Sequence, residues 1–483
     1  MKKTVFFNLL FAAIYCMSSQ ATPLTSTPKV KEHHLSTQNE DAIKSFFDSY
    51  LNRQTISFNI NKRIKNKDIE SSRSAIWELW KEANKDFDEE KLPVMGKLSE
   101  GKASRWILPS NLEPHAIMPF YWGTKGDSKP EEGYPLFLYL HGSGPKDAEW
   151  KTGLSICQQF DDSPSAYFIP QIPNMGEYYR WWQKSKQFAW ERLLRQALIT
   201  DNINPNRLYI FGISEGGYGS QRLASFYADY WAAAGPMAGG EPLKNAPAEN
   251  CSNIAFSLRT GAKDFGFYRN MLTAYVKQAF DSLQQIYPQQ YVHKIELIPN
   301  QGHSIDYRPT TPWLKQYVRN PYPKHFCWEN FEMDGLYRNG FYNIYVQERS
   351  NADNKTRTYY EMTIEGNHID LKINEVTYRT IQTDPQWGIE LKFLKEHQPA
   401  QKGKITLYLC DELVKTGRFT LVYNHPFFNE FCVRYDGDVD ALQSKLADNG
   451  ILGGVKIADD ILMFAVTEKR TKEEIDRLVD LCK

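Results

Sequence analysis

The residues best equipped for chemistry are Gly212-Ile213-Ser214-Glu215-Gly216, set between the apolar run Leu208-Tyr-Ile-Phe and a helical stretch from Tyr218 to Ala228. A serine hydroxyl is a weak nucleophile until a base takes its proton and nearby donors hold the charge that develops on the attacked carbonyl oxygen. At a strand-to-helix junction the Gly-x-Ser-x-Gly spacing has a mechanical meaning. The turn is so tight that side chains two residues either side of the serine would clash, so glycine stands at both. Ser214 is the candidate nucleophile. Its base is sought in Gly302-His303-Ser304, just past the apolar run Lys294 to Ile298, and the orienting carboxylate in Gly261-Ala-Lys-Asp264, just past Ile254 to Leu258. Asp306 follows His303 too closely to be its partner, and Asp201 precedes the serine. The chain order Ser214, Asp264, His303 differs from that of the chymotrypsin and subtilisin triads.

The oxyanion needs donors. Leu138-Tyr-Leu-His141-Gly142-Ser143-Gly144 ends an apolar run in a loop of small residues, where backbone amides can approach a substrate oxygen. Amides from Gly142, Ser143 and Gly144, with that of Glu215, form the expected oxyanion hole. Losing one such donor costs about 3 kcal/mol of transition-state stabilisation. His141 reads as structural, and the Glu215 carboxylate must point away from the developing charge. Between this loop and Ser214 lies Tyr178-Tyr179-Arg180-Trp181-Trp182. Tyr179, Trp181 and Trp182 are candidate substrate-binding residues, able to stack on a sugar or aromatic acyl group. The competing reading is aromatics packing a cap helix. Trp150 is a weaker candidate for the same wall.

These residues need a frame. Between about residues 104 and 320, six short apolar runs alternate with helical patterns, which implies an α/β unit with a mainly parallel sheet covered on both faces. The runs begin at Pro135, Ala166, Arg207, Trp231, Ile254 and Lys294. Residues 22–103 read as a helical lead-in, with Ala75 to Ala83 at helical spacing. The charge-rich Lys62 to Asp68 reads as a solvated turn. After the break at Asn320-Pro-Tyr-Pro, Tyr337 to Leu409 carries period-two alternation, which predicts an all-β accessory unit of sandwich type over residues 321–423. Residues 424–483 read as a small α+β unit in the order strand, helix, strand, strand, helix. Its last helix opens with Thr471 and Glu474 as a capping box.

Composition narrows the function classes. The 483 residues, about three domains' worth, carry 58 Lys plus Arg and 58 Asp plus Glu, so formal charge is zero. No broad basic field is available for a nucleic acid. A mean hydropathy of −0.56 excludes a multi-span membrane protein. Lys2 and Lys3, an apolar run from Val5 to Met17, and Ser19 and Ala21 ahead of Thr22 form an export-signal pattern over residues 1–21. The expected location is therefore periplasmic or secreted. Cys16 would leave with the signal, and the remaining cysteines could pair in an oxidising compartment. No Cys-x-x-Cys spacing or histidine cluster points to a metal site, and no cofactor is expected.

On the loop His141-Gly-Ser-Gly, the run Asn206-Arg-Leu-Tyr-Ile-Phe-Gly-Ile-Ser214-Glu-Gly-Gly, Ala233-Ala-Gly-Pro-Met-Ala-Gly239, Gly261-Ala-Lys-Asp264 and Gly302-His303, residues 104–320 resemble the α/β-hydrolase superfamily. The likeness is greatest to its exported esterases of feruloyl-esterase and polyhydroxybutyrate-depolymerase type. Prolyl-oligopeptidase-like peptidases share the same core pattern, though no propeller-like repeats precede it here. On Pro426-Phe-Phe-Asn-Glu-Phe, Asn449-Gly-Ile-Leu-Gly-Gly454 and Val466 to Val479, the last 60 or so residues resemble the small C-terminal domain of glycine decarboxylase. That activity needs a Schiff-base lysine and a phosphate cradle on a large domain, whose place the hydrolase-like and β units occupy. The tail is read as a structural module. The resemblances imply a metal-independent serine hydrolase, with esters of carbohydrate or other biopolymers as first substrate and peptides as second. From other classes come a non-catalytic surface- or carbohydrate-binding protein on a hydrolase frame, or a glycine-cleavage-related fusion.

Overall fold

The computed structural model describes residues 37–54, 65–346, 349, 355–366, 368–399, 408–423, 430–465 and 472–483. The export-signal pattern, the start of the 62–68 charge run, most of Pro426 to Phe431 and the Thr471 cap lie outside the described residues.

The central sheet has eight strands: β1 (Ala103–Ile107), β2 (Ile117–Lys125), β3 (Tyr134–Leu140), β4 (Ser165–Pro170), β5 (Ile203–Ile213), β6 (Ala233–Met237), β7 (Ala255–Gly261) and β8 (His293–Ile298). Their spatial order is β1-β2-β4-β3-β5-β6-β7-β8. Only β2 breaks the parallel run, pairing antiparallel with both β1 and β4. The six strands from β3 to β8 are those the apolar runs predict. Every residue of β3 and β4 is buried, as a strand covered on both faces requires. Period-two alternation divides their side chains. Leu136, Leu138, Leu140, Phe168 and Ile210 face a core shared with helices Lys184–Leu198, Glu215–Phe226 and Arg269–Ile286. Phe137, Tyr139, Tyr167, Ile169 and Phe211 face the opposite core, against helices Lys146–Gln159 and Thr310–Leu314.

The lead-in is helical as expected. Helices Thr37–Leu51 and Ile69–Asp86 close on the Phe47–Trp80 ring pair, 4.9 Å between centroids. Glu89, just beyond them, takes both terminal nitrogens of Arg195 at 2.6 Å and so ties the lead-in to helix Lys184–Leu198.

The accessory β unit departs from expectation. It comprises β9 (His325–Asn330), the short pair β10 (Gly340–Phe341) and β11 (Ile344–Tyr345), and β12 (Thr356–Glu365), β13 (His368–Thr383) and β14 (Glu390–Pro399). β9 and β12–β14 form one antiparallel sheet in the order β14-β13-β12-β9. A sandwich needs a second sheet, and here the α/β core takes its place. Phe326, Trp328, Phe341, Tyr360 and Met362 belong to the same core as Leu138 and Ile210. Alternation shows that one face is apolar but not what covers it.

The C-terminal unit also begins earlier than expected, near residue 408 rather than 424. Helix Tyr408–Lys415 and β15 (Phe419–Leu421) precede β16 (Glu430–Tyr435), helix Val439–Asp448, β17 (Val455–Ala458), β18 (Ile461–Ala465) and helix Lys472–Cys482. β15 pairs with β16, and Leu413 and Phe419 share a separate core with Val433, Leu446, Leu462 and Val479. Asp438 caps helix Val439–Asp448, accepting from the amides of Asp440 and Ala441.

Candidate active site

Ser214 stands between the end of β5 and helix Glu215–Phe226 with φ 56° and ψ −114°, a left-handed conformation that a serine adopts only under constraint. The two flanking glycines show the constraint. A Cβ on Gly216 would lie 1.9 Å from the Leu140 carbonyl oxygen, and one on Gly212 would lie 2.4 Å from the Gly216 oxygen. The Ser214 amide donates to the Met237 oxygen at 2.9 Å, and the Ser214 oxygen accepts from the Tyr218 amide at 3.0 Å. The turn is thus pinned from both sides and holds the hydroxyl out at the carboxyl edge of the sheet.

The same edge receives the other two groups. His303 Nε2 lies 3.0 Å from Ser214 Oγ, and His303 Nδ1 lies 2.7 Å from Asp264 Oδ2. Asp264 follows β7 directly and His303 follows β8. Close backbone crossing brings the two loops together: a Cβ on Gly261 would lie 2.0 Å from the Gly302 oxygen, and the Lys263 amide donates to the Gln301 oxygen at 2.8 Å. His303 is half-exposed while Asp264 is buried. Burial acts to raise the Asp264 carboxyl. Hydrogen bonds from Arg269 and His303 outweigh it and hold the group below the usual carboxylate range.

Arg269 is a site residue the sequence reading missed. It donates from Nη2 to Asp264 Oδ1 at 2.7 Å and from Nε to Oδ2 at 2.9 Å. An arginine five residues after an aspartate is commonplace, and no sequence signal marks this one.

The Gly142–Gly144 loop is built from behind. The Gly142 carbonyl accepts from Tyr179 Oη at 2.8 Å and sits 2.7 Å from His141 Nδ1. In a trans peptide the carbonyl and the following N–H point in opposite directions, so this clamp turns the Ser143 amide the other way. Gly142 lies against Ser214, since a Cβ built there would be 3.4 Å from Ser214 Cβ. The Glu215 amide opens its helix and has no intrahelical acceptor. His141 is fully buried and its Nε2 accepts from the Ile172 amide at 3.1 Å. Burial pulls its imidazole down to about 4, which makes it a neutral strut, not a base.

Two of the three expected substrate-binding aromatics are corrected. Trp181 is fully buried, donates Nε1–H to the His141 oxygen at 3.0 Å, and packs against Gly219. Tyr179 is 5% exposed and spends its hydroxyl on Gly142. Both are occupied in holding the loop, because an aromatic cluster beside a glycine-rich turn is the material that fills behind it. Trp182 is only partly buried and lies under the Arg222 guanidinium, 3.9 Å from its centroid. Trp150, with Nε1 on the Ile169 oxygen, also belongs to the core.

The Glu215 side chain reaches toward Arg180 Nη1 at 3.6 Å, on the side of the 178–182 segment. Its Oε1 is buried with no hydrogen-bond partner. Burial pushes this carboxyl up to about 7; Arg180 opposes the rise and Glu241 adds to it.

An eight-stranded, mainly parallel sheet that carries a Gly-x-Ser-x-Gly turn between strand and helix is an α/β-hydrolase fold. No family model matches the chain. Among solved structures the chain is similar to a thermostable esterase at 20% identity and TM-score 0.35, over 45% of this chain and 64% of that one. It is similar also to a ferulic acid esterase at 14% identity and TM-score 0.33, over 44% of this chain and 97% of that one. In sequence it is similar to probable glycine dehydrogenase (decarboxylating) subunit 1 of Geobacillus thermodenitrificans, 42% identical over 79 residues, which is 15% of this chain and 17% of the relative. The corresponding protein of Bacillus subtilis is 38% identical over 78 residues, with the same coverage. The chain thus spans about a sixth of the length of the curated relatives it matches.

Proposed function

We propose that the protein is an exported serine hydrolase that cleaves carboxylic esters through an acyl-enzyme. The observation that carries this reading is the continuous hydrogen-bonded path from Ser214 Oγ through His303 to Asp264 at the carboxyl edge of the sheet. Ser214 attacks the acyl carbonyl carbon while His303 Nε2 takes its proton, and Asp264 keeps the other ring hydrogen on Nδ1. The oxygen that becomes negative is met by the amides of Glu215 and the Gly142–Gly144 loop. The imidazolium then protonates the leaving alcohol. Water, deprotonated by His303, attacks the acyl-enzyme and releases the acid and free Ser214. Side chains, amides and water carry every step. The half-exposed His303 and partly exposed Ser214 favour a bulky substrate reaching the site from solvent, which agrees with carbohydrate-linked or other biopolymer esters. A peptidase would use the same residues and is the second reading. The glycine-decarboxylase-like tail is assigned a structural role.

The test is intact mass after treatment with a fluorophosphonate, with Ser214→Ala alongside. One adduct on the wild-type protein and none on the variant supports an activated serine, after which ester and peptide panels rank the substrates. Folded wild-type protein that takes no adduct overturns the reading. Amino-terminal sequencing of the exported product, expected to begin at Thr22, tests localisation.

A further inference from the structure

Away from Ser214, the accessory sheet brings three metal-ligating side chains together. His325 and Cys327 stand two apart on β9, so the pleat puts both on one face. Glu361 on β12 lies directly opposite Cys327 in the antiparallel register. One ligand atom from each falls within 4.8 Å of the other two. His325 Nε2 and Glu361 Oε1 are 3.4 Å apart, close to the edge of about 3.3 Å that a tetrahedron of nitrogen and oxygen ligands around zinc requires.

The surrounding hydrogen bonds say which atoms carry protons. Gln290 Nε2 donates to Asn253 Oδ1 at 3.1 Å and to the His325 oxygen at 2.8 Å. Asn253 is oriented in turn, because its Nδ2 donates to Ser252 Oγ and to the His325 oxygen. Gln290 therefore presents Oε1, an acceptor, to His325 Nδ1 at 2.6 Å, and Nδ1 must carry a hydrogen. That leaves Nε2 of a neutral ring as a bare lone pair facing Glu361 Oε1, which already accepts from Tyr287 Oη at 3.0 Å. Two acceptors facing each other repel unless a proton on Nε2 or a metal cation lies between them. Metal-bound histidines are held in this way, with the remote ring N–H given to an oxygen acceptor. Cys327 is 1% exposed and packs with Tyr359 and Val376. Lys372 Nζ stands 3.6 Å from Glu361 Oε2 and is mostly exposed, so it can leave for solvent.

We propose that His325, Cys327 and Glu361 form a site for one divalent cation of zinc type, bound through Nε2, Sγ and a carboxylate oxygen. Mixed nitrogen, sulfur and oxygen donors suit a borderline-soft ion over calcium or magnesium. Binding draws the sulfur inward by about an ångström to reach the usual Zn–S length of about 2.3 Å, and the thiol gives up its proton to solvent. The ion would join β9 to β12 beside the Tyr287–Gln290 segment, where the Tyr287 ring stacks on His325 with centroids 4.6 Å apart. The role is to brace β9 against β12 within the accessory sheet, independent of Ser214 chemistry. Local spacing could not reveal the site, because β12 pairing supplies its third ligand.

The full-length protein, stripped by chelator dialysis, is titrated with Co²⁺ as a spectroscopic probe and then with Zn²⁺. The expected result is one equivalent bound, a near-ultraviolet thiolate-to-cobalt band that zinc erases, and a rise in Tm. Cys327→Ser should abolish the band while keeping the far-ultraviolet circular dichroism of the stripped wild type. Glu361→Gln, at a less buried position, should weaken Co²⁺ at least about tenfold. Absence of the band in wild-type protein, or an unchanged band in both variants, overturns the proposal and leaves His325 and Glu361 as a plain ion pair. Fluorophosphonate labelling of Ser214 is expected to proceed equally with and without chelator, so the outcome is separate from that of the hydrolase reading.

Discussion

Arg269 grips both carboxylate oxygens of Asp264, at 2.7 Å and 2.9 Å, and one of those same oxygens also meets His303 Nδ1 at 2.7 Å. The carboxylate that orients the histidine is therefore itself oriented, and its charge is shared between an arginine and a ring. This fixes the imidazole in the rotamer that points Nε2 at Ser214. The arrangement has a cost in basicity, because an anion already paired with a guanidinium does less to stabilise a protonated His303 ring.

Replacing the carboxylate and replacing its partner should therefore read differently. Asp264→Asn offers Nδ1 a donor in place of an acceptor and favours the wrong tautomer, so acylation should fall by about 10³- to 10⁴-fold. Arg269→Met leaves the acceptor and removes what depresses its pKa. Asp264 then protonates at a higher pH, so activity should drop on the acid side of the profile while remaining within about tenfold of wild type above neutrality. Rates of ester hydrolysis from pH 4 to 9 check both; an identical acid limb in wild type and Arg269→Met would show that Arg269 does not tune the carboxylate.

Glu215 makes stability pH-dependent in a defined direction. Its folded pKa, about 7, lies above the ordinary 4.5, with burial as the main cause. Between those values the folded state binds the proton that the unfolded state has released, so stability falls as pH rises through this window. The loss is at most about 3 kcal/mol. Glu215→Gln cannot ionise, so its Tm relative to wild type should improve from pH 5 to pH 8. Parallel thermal melts at the two pH values measure the difference.

Tyr179 and Trp181 should behave as scaffold. Tyr179→Phe removes the hydroxyl that clamps the Gly142 carbonyl, and kcat should fall several-fold with KM little changed. Trp181→Ala empties a fully buried site and should cost about 3–5 kcal/mol of stability. Denaturant unfolding beside steady-state kinetics separates these effects; a Trp181→Ala protein of normal stability but raised KM would return the residue to the substrate wall.

The accessory sheet is braced internally by Glu329 on β9, which is fully buried and accepts from Arg357 Nη1 on β12 at 2.6 Å and from Tyr378 Oη on β13 at 2.8 Å, with Lys395 Nζ on β14 also at 2.6 Å. Burial acts to raise this carboxyl, but Lys395 and Arg357 hold it below the usual range. Its contribution is present above the unfolded pKa and is lost as pH falls through the lower folded value. Glu329→Ala strands Arg357, while Lys395 keeps Glu249 at 2.6 Å, and should destabilise by about 3 kcal/mol, seen as a lower urea midpoint at pH 7.

Much of the hydrolase-like unit was legible in the chain. β3 to β8 are short apolar runs because strands covered on both faces can carry little else, and Ser214, Asp264 and His303 each follow one of them at a turn. β1 and β2 were harder to read, since Pro119 and Gly123 interrupt β2 and its neighbours pair antiparallel. The aromatic segment 178–182 was legible as a cluster but not as a position. A sequence shows that Trp181 is large and apolar, whereas only packing shows that it fills the space behind Gly219.

By itself the sequence determined what is local: the Ser214 turn with its two obligatory glycines, the strand ends that carry Asp264 and His303, and the helix–strand alternation that makes the sheet. Those follow from sterics and periodicity within a few residues. Tertiary structure alone decided what depends on chain segments far apart in sequence. It put Arg269 on the Asp264 carboxylate, Tyr179 behind the Gly142–Gly144 loop, the α/β core where a second sheet was expected, and Glu361 beside His325 and Cys327. Such contacts are set by how sheets and helices close over one another, and no spacing along the chain encodes that.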